Sequence, residues 1–145
     1  MLLLGIDCSH SSGSVCIQNS NSILFHKEWK QEKSHAELIT QVLADAFRTL
    51  QVTPKDFSQL AINEGPGSFT GLRIALNTIR TLAFTQQISI YALNSMEITA
   101  HAVPSSERKL LIALNAHSEM CYLQEFRWEN HWQPISNQIG RASCR

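Results

Sequence analysis

The chain reads Glu64-Gly65-Pro66-Gly67-Ser68-Phe69-Thr70-Gly71-Leu72-Arg73 near its centre, between an apolar run and an amphipathic segment. The glycines supply backbone freedom, and a hydroxyl at Ser68 or Thr70 can cap a helix, so the stretch predicts a loop that leads from a strand into a helix. Backbone N–H groups at a helix start can hold an anion, so both a plain loop and a phosphate or carboxylate site are open interpretations. No Lys follows Gly71, and the glycine spacing is not that of a dinucleotide-binding motif, so this loop by itself predicts no nucleotide site.

The composition indicates one globular domain. Of the 145 residues, 43% are hydrophobic, which is enough to bury a core. The 12 basic and 12 acidic side chains cancel, so we expect no tight binding of nucleic acid by this chain alone. The four cysteines are scattered without metal-binding spacing, and no run of residues is apolar and long enough for a signal peptide or a membrane span. We therefore expect a soluble cytoplasmic protein with reduced thiols.

Hydrophobic periodicity predicts strands and helices in a regular order. Ser34 and Glu37 form a capping-box pattern that starts the first helix, and Thr53-Pro54 ends it. The predicted strands cover residues 2–7, 14–18, 23–28, 60–63, 88–92, 110–114 and 121–128, and the predicted helices cover residues 34–50, 72–85 and 95–101.

This order predicts an α/β fold: a mixed sheet of about five strands with helices on both faces, because a strand hairpin is followed by two crossover units. It is the ribonuclease-H-like arrangement that is shared by the lobes of actin-like ATPases and sugar kinases. Topology alone does not fix function.

The end of the chain has an unusual sequence. The last eight residues, Gln138-Ile139-Gly140-Arg141-Ala142-Ser143-Cys144-Arg145, are the peptide that a widely used sequencing adapter encodes in one frame. We therefore expect residues 1–137 to be an actin-like N-terminal lobe and residues 138–145 to be of non-biological origin. We also expect a second lobe to be missing, so that the chain cannot close around a nucleotide alone.

Two carboxylates stand at predicted strand ends. Asp7 ends the first strand and Glu64 follows the fourth, as carboxylates do in ribonuclease-H-like nucleases that bind a metal pair. The alternative function is therefore a metal-dependent nuclease that uses Asp7 and Glu64. Such a site needs further ligands, and the later glutamates show no obvious constellation: Glu97, Glu107, Glu119, Glu125 and Glu129. We accordingly predict no metal site and no catalytic residue.

Three stretches, in this order, resemble the signature motifs of the TsaB (YeaZ) family: Gly5-Ile6-Asp7-Cys8-Ser9, Ser34-His35-Ala36-Glu37-Leu38 and Gly65-Pro66-Gly67-Ser68-Phe69-Thr70-Gly71-Leu72-Arg73-Ile74. The resemblance covers about residues 1–126. It implies a non-catalytic subunit of the bacterial machinery that makes N6-threonylcarbamoyladenosine (t6A) in tRNA. The implied partners are the catalytic paralogue TsaD and the ATPase TsaE, with tRNA reached only through the complex, and a homodimer is also compatible with it. ATP and Mg²⁺ would act at the partner subunits, and this chain alone would bind no cofactor.

The resemblance also selects residues. It places motif loops at Asp7, Ser9, Ser34, His35, Glu37, Gly65, Pro66, Gly67, Ser68, Phe69, Thr70, Gly71 and Arg73. The apolar stripe on the two amphipathic helices is wider than sheet packing needs, so we predict a partner-binding face at Leu38, Ile39, Val42, Ala46, Leu72, Ala75 and Ile79. One segment departs from the family: this chain has Asn115-Ala116-His117 where the family usually has Asp-Ala-Arg, which affects the polar contacts of that loop but not the fold.

Overall fold

The structure is a computed structural model that describes residues 1–30, 34–104, 109–116, 120–137 and 139–143, the last range as backbone only. The chain forms two compact units. The first contains Met1–Glu64 and Ser68–Ala92, and the second contains Gly65–Gly67 and Leu93–Arg145. None of the helices in the described part of the chain is both long and apolar enough to cross a membrane.

The first unit is built on a five-stranded mixed sheet. Its elements are β1 (Leu2–Asp7), β2 (Ser12–Gln18), β3 (Ile23–Lys30), α1 (His35–Leu50), a short 3-10 helix (Pro54–Asp56), β4 (Phe57–Gly65), α2 (Phe69–Gln86) and β5 (Ile90–Asn94), whose last residues belong to the second unit. The strand order is β3-β2-β1-β4-β5. Strand β1 runs antiparallel to β2 and parallel to β4, which leaves the ends of β1 and β4 side by side.

The core of this unit lies on one face of the sheet. Leu4 is opposite Ile17 on β2 and Leu60 on β4, and all three side chains are fully buried. Because side chains alternate between the two faces of a strand, every second residue of these strands joins the same cluster. Residues of α1 and α2 complete it: Ile39, Val42, Leu43, Ala46, Ala75 and Ile79. The predicted α/β fold with a mixed five-stranded sheet is confirmed. The predicted placement of helices on both faces is corrected for this unit, because α1 and α2 pack into the same buried cluster on one face of the sheet.

Side-chain oxygens cap the two long helices. Ser34 Oγ accepts from the N–H of Ala36 at 3.3 Å, and Ser68 Oγ accepts from the N–H of Gly71 at 3.3 Å. The predicted capping box at α1 is corrected in one respect, since the serine hydroxyl receives the second amide of the helix rather than that of Glu37. Both helices end at a glutamine in the left-handed conformation, Gln51 and Gln87. Each end therefore turns sharply without a glycine.

The second unit has a smaller antiparallel sheet. Its elements are α3 (Ser95–His101), β6 (Lys109–Asn115), β7 (Met120–Trp128), β8 (Trp132–Pro134) and β9 (Ile139–Ser143). Its core consists of Met96, Ala100, Ile112, Phe126 and Trp132. The indole N–H of Trp132 donates to the carbonyl of Val103 at 3.1 Å, so this buried aromatic has its polar atom satisfied.

Strand β9 consists of residues that the adapter interpretation assigns to a non-biological tail. It pairs with β7 from Met120 to Leu123. Strand pairing uses backbone groups that every non-proline residue has, so a tail of any origin could pair in this way. The adapter origin of residues 138–145 and the missing second lobe therefore stay predictions.

Candidate functional site

A polar cluster forms where β1 and β4 end together. Asp7 Oδ1 accepts from the N–H of Ser9 at 2.7 Å, and Asp7 Oδ2 accepts from the side-chain amide of Asn63 at 3.1 Å. The same amide nitrogen donates to Ser9 Oγ at 3.0 Å, and Ser9 Oγ lies 2.8 Å from Nδ1 of His10. Both oxygens of the Asp7 carboxylate are thus bound by the chain itself.

The start of α2 packs closely against the backbone of Cys8 and Ser9, which follow β1. The N–H of Ser68 donates to the carbonyl of Ser9 at 2.6 Å. A Cβ atom at Gly71 would lie 1.9 Å from the carbonyl oxygen of Cys8, far inside the distance at which a carbon atom can contact a backbone oxygen. Gly71 is therefore the residue at which the first turn of α2 contacts the end of β1. We call this contact, together with the hydrogen bond from Ser68 to Ser9, the joint.

A small polar cavity opens beside this joint. It measures about 200 Å³ and is lined by Asp7, His10, Ser12, Gly13, Ser14 and Glu28. Ser9 is outside it and is 1% exposed, so its hydroxyl is not accessible as a nucleophile. The arrangement orders the loop rather than presenting a reactive group.

The nuclease alternative is corrected by this geometry. Ile6 pairs with Ile62, which puts Asp7 beside Asn63, an amide and not a carboxylate. Glu64 is exposed and, as the next residue of the strand, points to the other face of the sheet. The described residues contain no group of three or more His, Cys, Asp or Glu side chains that could hold a metal ion.

His35, at the start of α1, is buried and touches residues that the sequence did not single out. Its Nδ1 accepts from the indole N–H of Trp29 at 3.2 Å, and His35 is 2% exposed. The indole ring fills the space above Gly13, where a Cβ would lie 2.4 Å from it. This contact joins β2, β3 and α1. Gly13 lies one residue before the strand predicted over residues 14–18, and the structure places it inside β2, where a glycine leaves room for a neighbouring group.

The predicted partner-binding face is corrected. Ile39, Val42, Ala46, Ala75 and Ile79 are at most 7% exposed and belong to the core of the first unit. Leu38 and Leu72 are half-buried. The five buried residues are covered by the sheet, so they are not available to a partner while the unit is folded. For Leu38 and Leu72 the partner-binding role stays a prediction.

The exposed side of α2 carries large apolar and basic side chains. Phe69 is 73% exposed, Phe84 is 79% exposed and Leu76 is 40% exposed. Arg73 and Arg80 are also exposed and lie between them on the same face, since the spacing is three or four residues throughout. We call these five residues the α2 stripe.

Several predicted positions lie outside the described residues: Glu107, His117, Glu119, Gln138, Cys144 and Arg145. Of the Asn115-Ala116-His117 departure, Asn115 ends β6 and Ala116 is buried. Ser34, Glu37 and Thr70 are exposed, and the Gly65-Pro66 peptide bond is cis. Gly67 is exposed as well.

The thiol of Cys8 lies within the joint and provides a test of it. Burial, and to a lesser extent the adjacent Asp7 carboxylate, raises the pKa of Cys8 from 9.0 to about 12. Because only the thiolate is alkylated, we expect Cys8 to react with iodoacetamide at pH 8 about a thousandfold more slowly in the folded than in the urea-unfolded protein. The pKa of the Cys8 thiol is higher in the folded than in the unfolded chain, so the contribution of this thiol to the free energy of unfolding is complete below pH 9. That contribution is lost as the pH rises toward about 12. Mass spectrometry of the labelled peptides measures the rates, and equal rates would show that the joint is open.

Known proteins similar to this chain form a consistent group. A sequence model of the TsaD family, described as tRNA N6-adenosine threonylcarbamoyltransferase, matches residues 22–140. The tRNA threonylcarbamoyladenosine biosynthesis protein TsaB of Buchnera aphidicola subsp. Schizaphis graminum is 25% identical over 131 residues, which are 89% of this chain and 62% of that protein. The protein of the same name from Bacillus subtilis (strain 168) is 27% identical over 100 residues, which are 69% of this chain and 44% of that protein.

The fold is also that of a solved structure. YeaZ from Pseudomonas aeruginosa superposes with a TM-score of 0.85 at 21% sequence identity, over 97% of this chain and 67% of that one. The chain spans less than two thirds of the length of the curated relatives that it matches, 62% of one and 44% of the other.

Proposed function

Because the chain belongs to the tRNA N6-adenosine threonylcarbamoyltransferase family, in its TsaB (YeaZ) branch, we propose that it is a subunit of the machinery that makes t6A in tRNA in the bacterial cytoplasm. Its role is to support the reaction by pairing with a TsaD-family protein, which carries the chemistry. TsaE joins this pair, and tRNA is bound only through the complex.

The observation that supports a non-catalytic role is the closed joint at the ends of β1 and β4. The groups that the motifs bring together hydrogen-bond to one another: the Asp7 carboxylate is bound by Ser9 and Asn63. The Ser9 hydroxyl is buried and bound in turn by Asn63. Because these polar side chains bind one another, we infer that they fix the position of the start of α2 and do not act on a substrate.

The same geometry supports the absence of a nucleotide site of its own. The glycine-rich turn has no Lys that could reach a phosphate, and the first turn of α2 lies against the Cys8 backbone. We propose that ATP and Mg²⁺ act at the partner subunits. The balance of 12 basic and 12 acidic side chains supports contact with tRNA through the complex and not through this chain alone.

The proposal is tested in cells. A bacterial strain whose own TsaB gene can be switched off receives this chain together with the TsaD-family subunit from the same genome, and t6A is measured in its tRNA by mass spectrometry. We expect t6A to be restored by the pair and not by either protein alone. The strain's own TsaB serves as the positive control.

A second measurement tests the non-catalytic assignment. The purified chain, given Mg²⁺ with either ATP or nucleic acid, should neither hydrolyse the nucleotide nor cleave the polymer. Loss of t6A in spite of abundant, folded chain would contradict the proposed function, and turnover by the isolated chain would contradict its non-catalytic role.

A further inference from the structure

Strand β5 is an edge of the five-stranded sheet, and its outer side has no neighbouring strand in the described part of the chain. Its sequence is Ile90-Tyr91-Ala92-Leu93-Asn94, without a charged residue or a proline. The three central residues are exposed, Tyr91 at 51% and Leu93 at 44%. An apolar, unprotected edge is where a sheet can add a strand from another chain.

The opposite edge of the sheet, β3, is protected against such an addition. Its pairing with β2 shifts register between Ile17 and Gln18, and the charged side chains of Lys27 and Lys30 are exposed along it. Register shifts and lysines at an edge hinder the pairing of a further strand. Of the two edges of this sheet, β5 is therefore the one at which another chain could pair.

The backbone of β5 sets the register that such a pairing would have. The carbonyl of Ser89 accepts from the N–H of Leu60 at 3.1 Å, so the backbone of Ser89 faces β4. Successive residues of a strand direct their backbone groups to opposite sides, so every second residue after Ser89 faces β4 as well. The backbone groups of Ile90 and Ala92 consequently point outward. Ala92 is also the middle residue of the strand.

The side chains of β5 are complementary to those of a second copy in this register. Ile90 packs on the core beneath the helices, whereas the hydroxyl of Tyr91 accepts from the side-chain amide of Gln59 at 3.4 Å on the opposite face. Leu93 shares the face of Tyr91, since side chains alternate. If two β5 strands pair antiparallel about a two-fold axis at Ala92, each Tyr91 lies opposite the Leu93 of the other copy. Such aromatic–aliphatic pairs stabilise a sheet, and they fall at the positions where side chains are closer.

The helix side of this edge is open. A depression of about 750 Å³ lies between the second half of α2 and the start of β5, where Ser89 and Ile90 line it. A second strand can therefore approach β5 without meeting a helix of the same unit. A pair formed by β5 with β5 is also closed at two copies, because the same surface is used on both.

We propose that β5 of this chain pairs with β5 of a second copy, antiparallel and centred on Ala92, so that the two five-stranded sheets continue into each other. This surface is not part of the proposed function, so either conclusion can fail without the other. Five residues from each copy bury less than a standard interface of about 1,600 Å². We therefore expect a weak dimer, with a dissociation constant of about 10 to 100 μM.

Sedimentation equilibrium of the full chain tests the pairing, at about 5 to 500 μM and in a reducing buffer so that no disulfide links two copies. The variant Ala92→Pro removes the outward N–H, which the sheet of one copy does not use. Edge positions of this kind tolerate proline. We expect its dissociation constant to rise about 30-fold or more over that of the wild type. Circular dichroism checks that the variant is folded.

Charged variants provide a test that does not depend on the folding of Ala92→Pro. Tyr91→Lys or Leu93→Glu alone places one kind of charge against an apolar side chain and should weaken the dimer. When the two are combined, the introduced lysine lies opposite the introduced glutamate of the other copy, so the double variant should dimerise better than either single one. Phe84→Ser in the α2 stripe and Leu111→Lys on β6 are controls at other exposed hydrophobic residues and should dimerise like the wild type.

Amide hydrogen exchange followed by NMR gives a second readout. The amide of Ala92 should exchange more slowly as the protein concentration rises, whereas that of Tyr91, which faces β4, should not change. A chain that stays monomeric over the whole concentration range would overturn the inference. So would a dimer that Ala92→Pro and the single charges leave intact, or one that a control variant dissociates. Protection of Ala92 only after the TsaD-family subunit is added would overturn it in favour of that subunit.

Discussion

Gly71→Ala should cost the first unit about 3 kcal/mol or more of its free energy of unfolding, at the upper end of what overpacking usually causes. The added methyl group would stand 1.9 Å from the carbonyl oxygen of Cys8. A clash with backbone cannot be relieved by turning a side chain, so either the start of α2 or the end of β1 must move. Movement of either would strain the hydrogen bond from the Ser68 N–H to the Ser9 carbonyl.

Urea unfolding followed by circular dichroism measures this effect. Gly5→Ala is the matched control, because its Cβ would meet nothing closer than the Cys16 carbonyl oxygen at 3.9 Å. In the middle of a strand this change should alter stability by less than about 1 kcal/mol. If both alanine variants unfold at the same urea concentration as the wild type, the contact between α2 and Cys8 is not as close as described.

The second large effect is expected for Val42→Glu, which separates core from surface on α1. Val42 is 7% exposed and belongs to the buried cluster under the sheet. An ionised carboxylate there would lose its hydration without gaining a partner, so we expect a loss of about 3 kcal/mol or more. Gln41→Glu, one residue away on the exposed side of the same helix, should change stability by no more than about 0.5 kcal/mol.

The pH dependence adds a check. Burial favours the neutral form of the introduced carboxyl, so the difference between Val42→Glu and the wild type should shrink as the pH falls. If the variant is as stable as the wild type at neutral pH, Val42 is exposed and not buried, and the partner-binding face predicted from the sequence is supported at this position.

The sequence predicted the sheet and helices of the first unit well because their patterns are local. The burial of α1 residues at every third or fourth position matches the predicted helix closely, and Ser68 caps α2 as one of two proposed residues. Strand β4 begins at Phe57 instead of residue 60. The pairing of β4 with β1 shifts register between Leu2 and Leu3, so Phe57 and Leu60 are both buried although they are three residues apart, and this irregular spacing hides the start of the strand in the sequence. Strand β8 covers only three residues, too few for a periodic signal.

The candidate site was less predictable because it depends on which strands are neighbours. Asn63 has no chemistry that draws attention in a sequence, yet the register of β1 and β4 makes it the partner of Asp7. The apolar stripe of α1 could equally pack on a sheet or on another protein, and periodicity cannot distinguish the two. Conversely, Phe69 and Phe84 look like core residues in the sequence, and only the three-dimensional fold shows that they face outward.

The tryptophans make the two units spectroscopically distinguishable. Trp29 is the tryptophan of the first unit, where the residue is 9% exposed and its indole is hydrogen-bonded to His35. The other two, Trp128 and Trp132, belong to the second unit and contact each other edge to face at 5.4 Å. Indole emission moves to longer wavelength when the ring is transferred from a buried site to water. The fluorescence of a chain that retains only Trp29 therefore reports on the packing of β2, β3 and α1. The fluorescence of a chain that lacks only Trp29 reports on the smaller sheet.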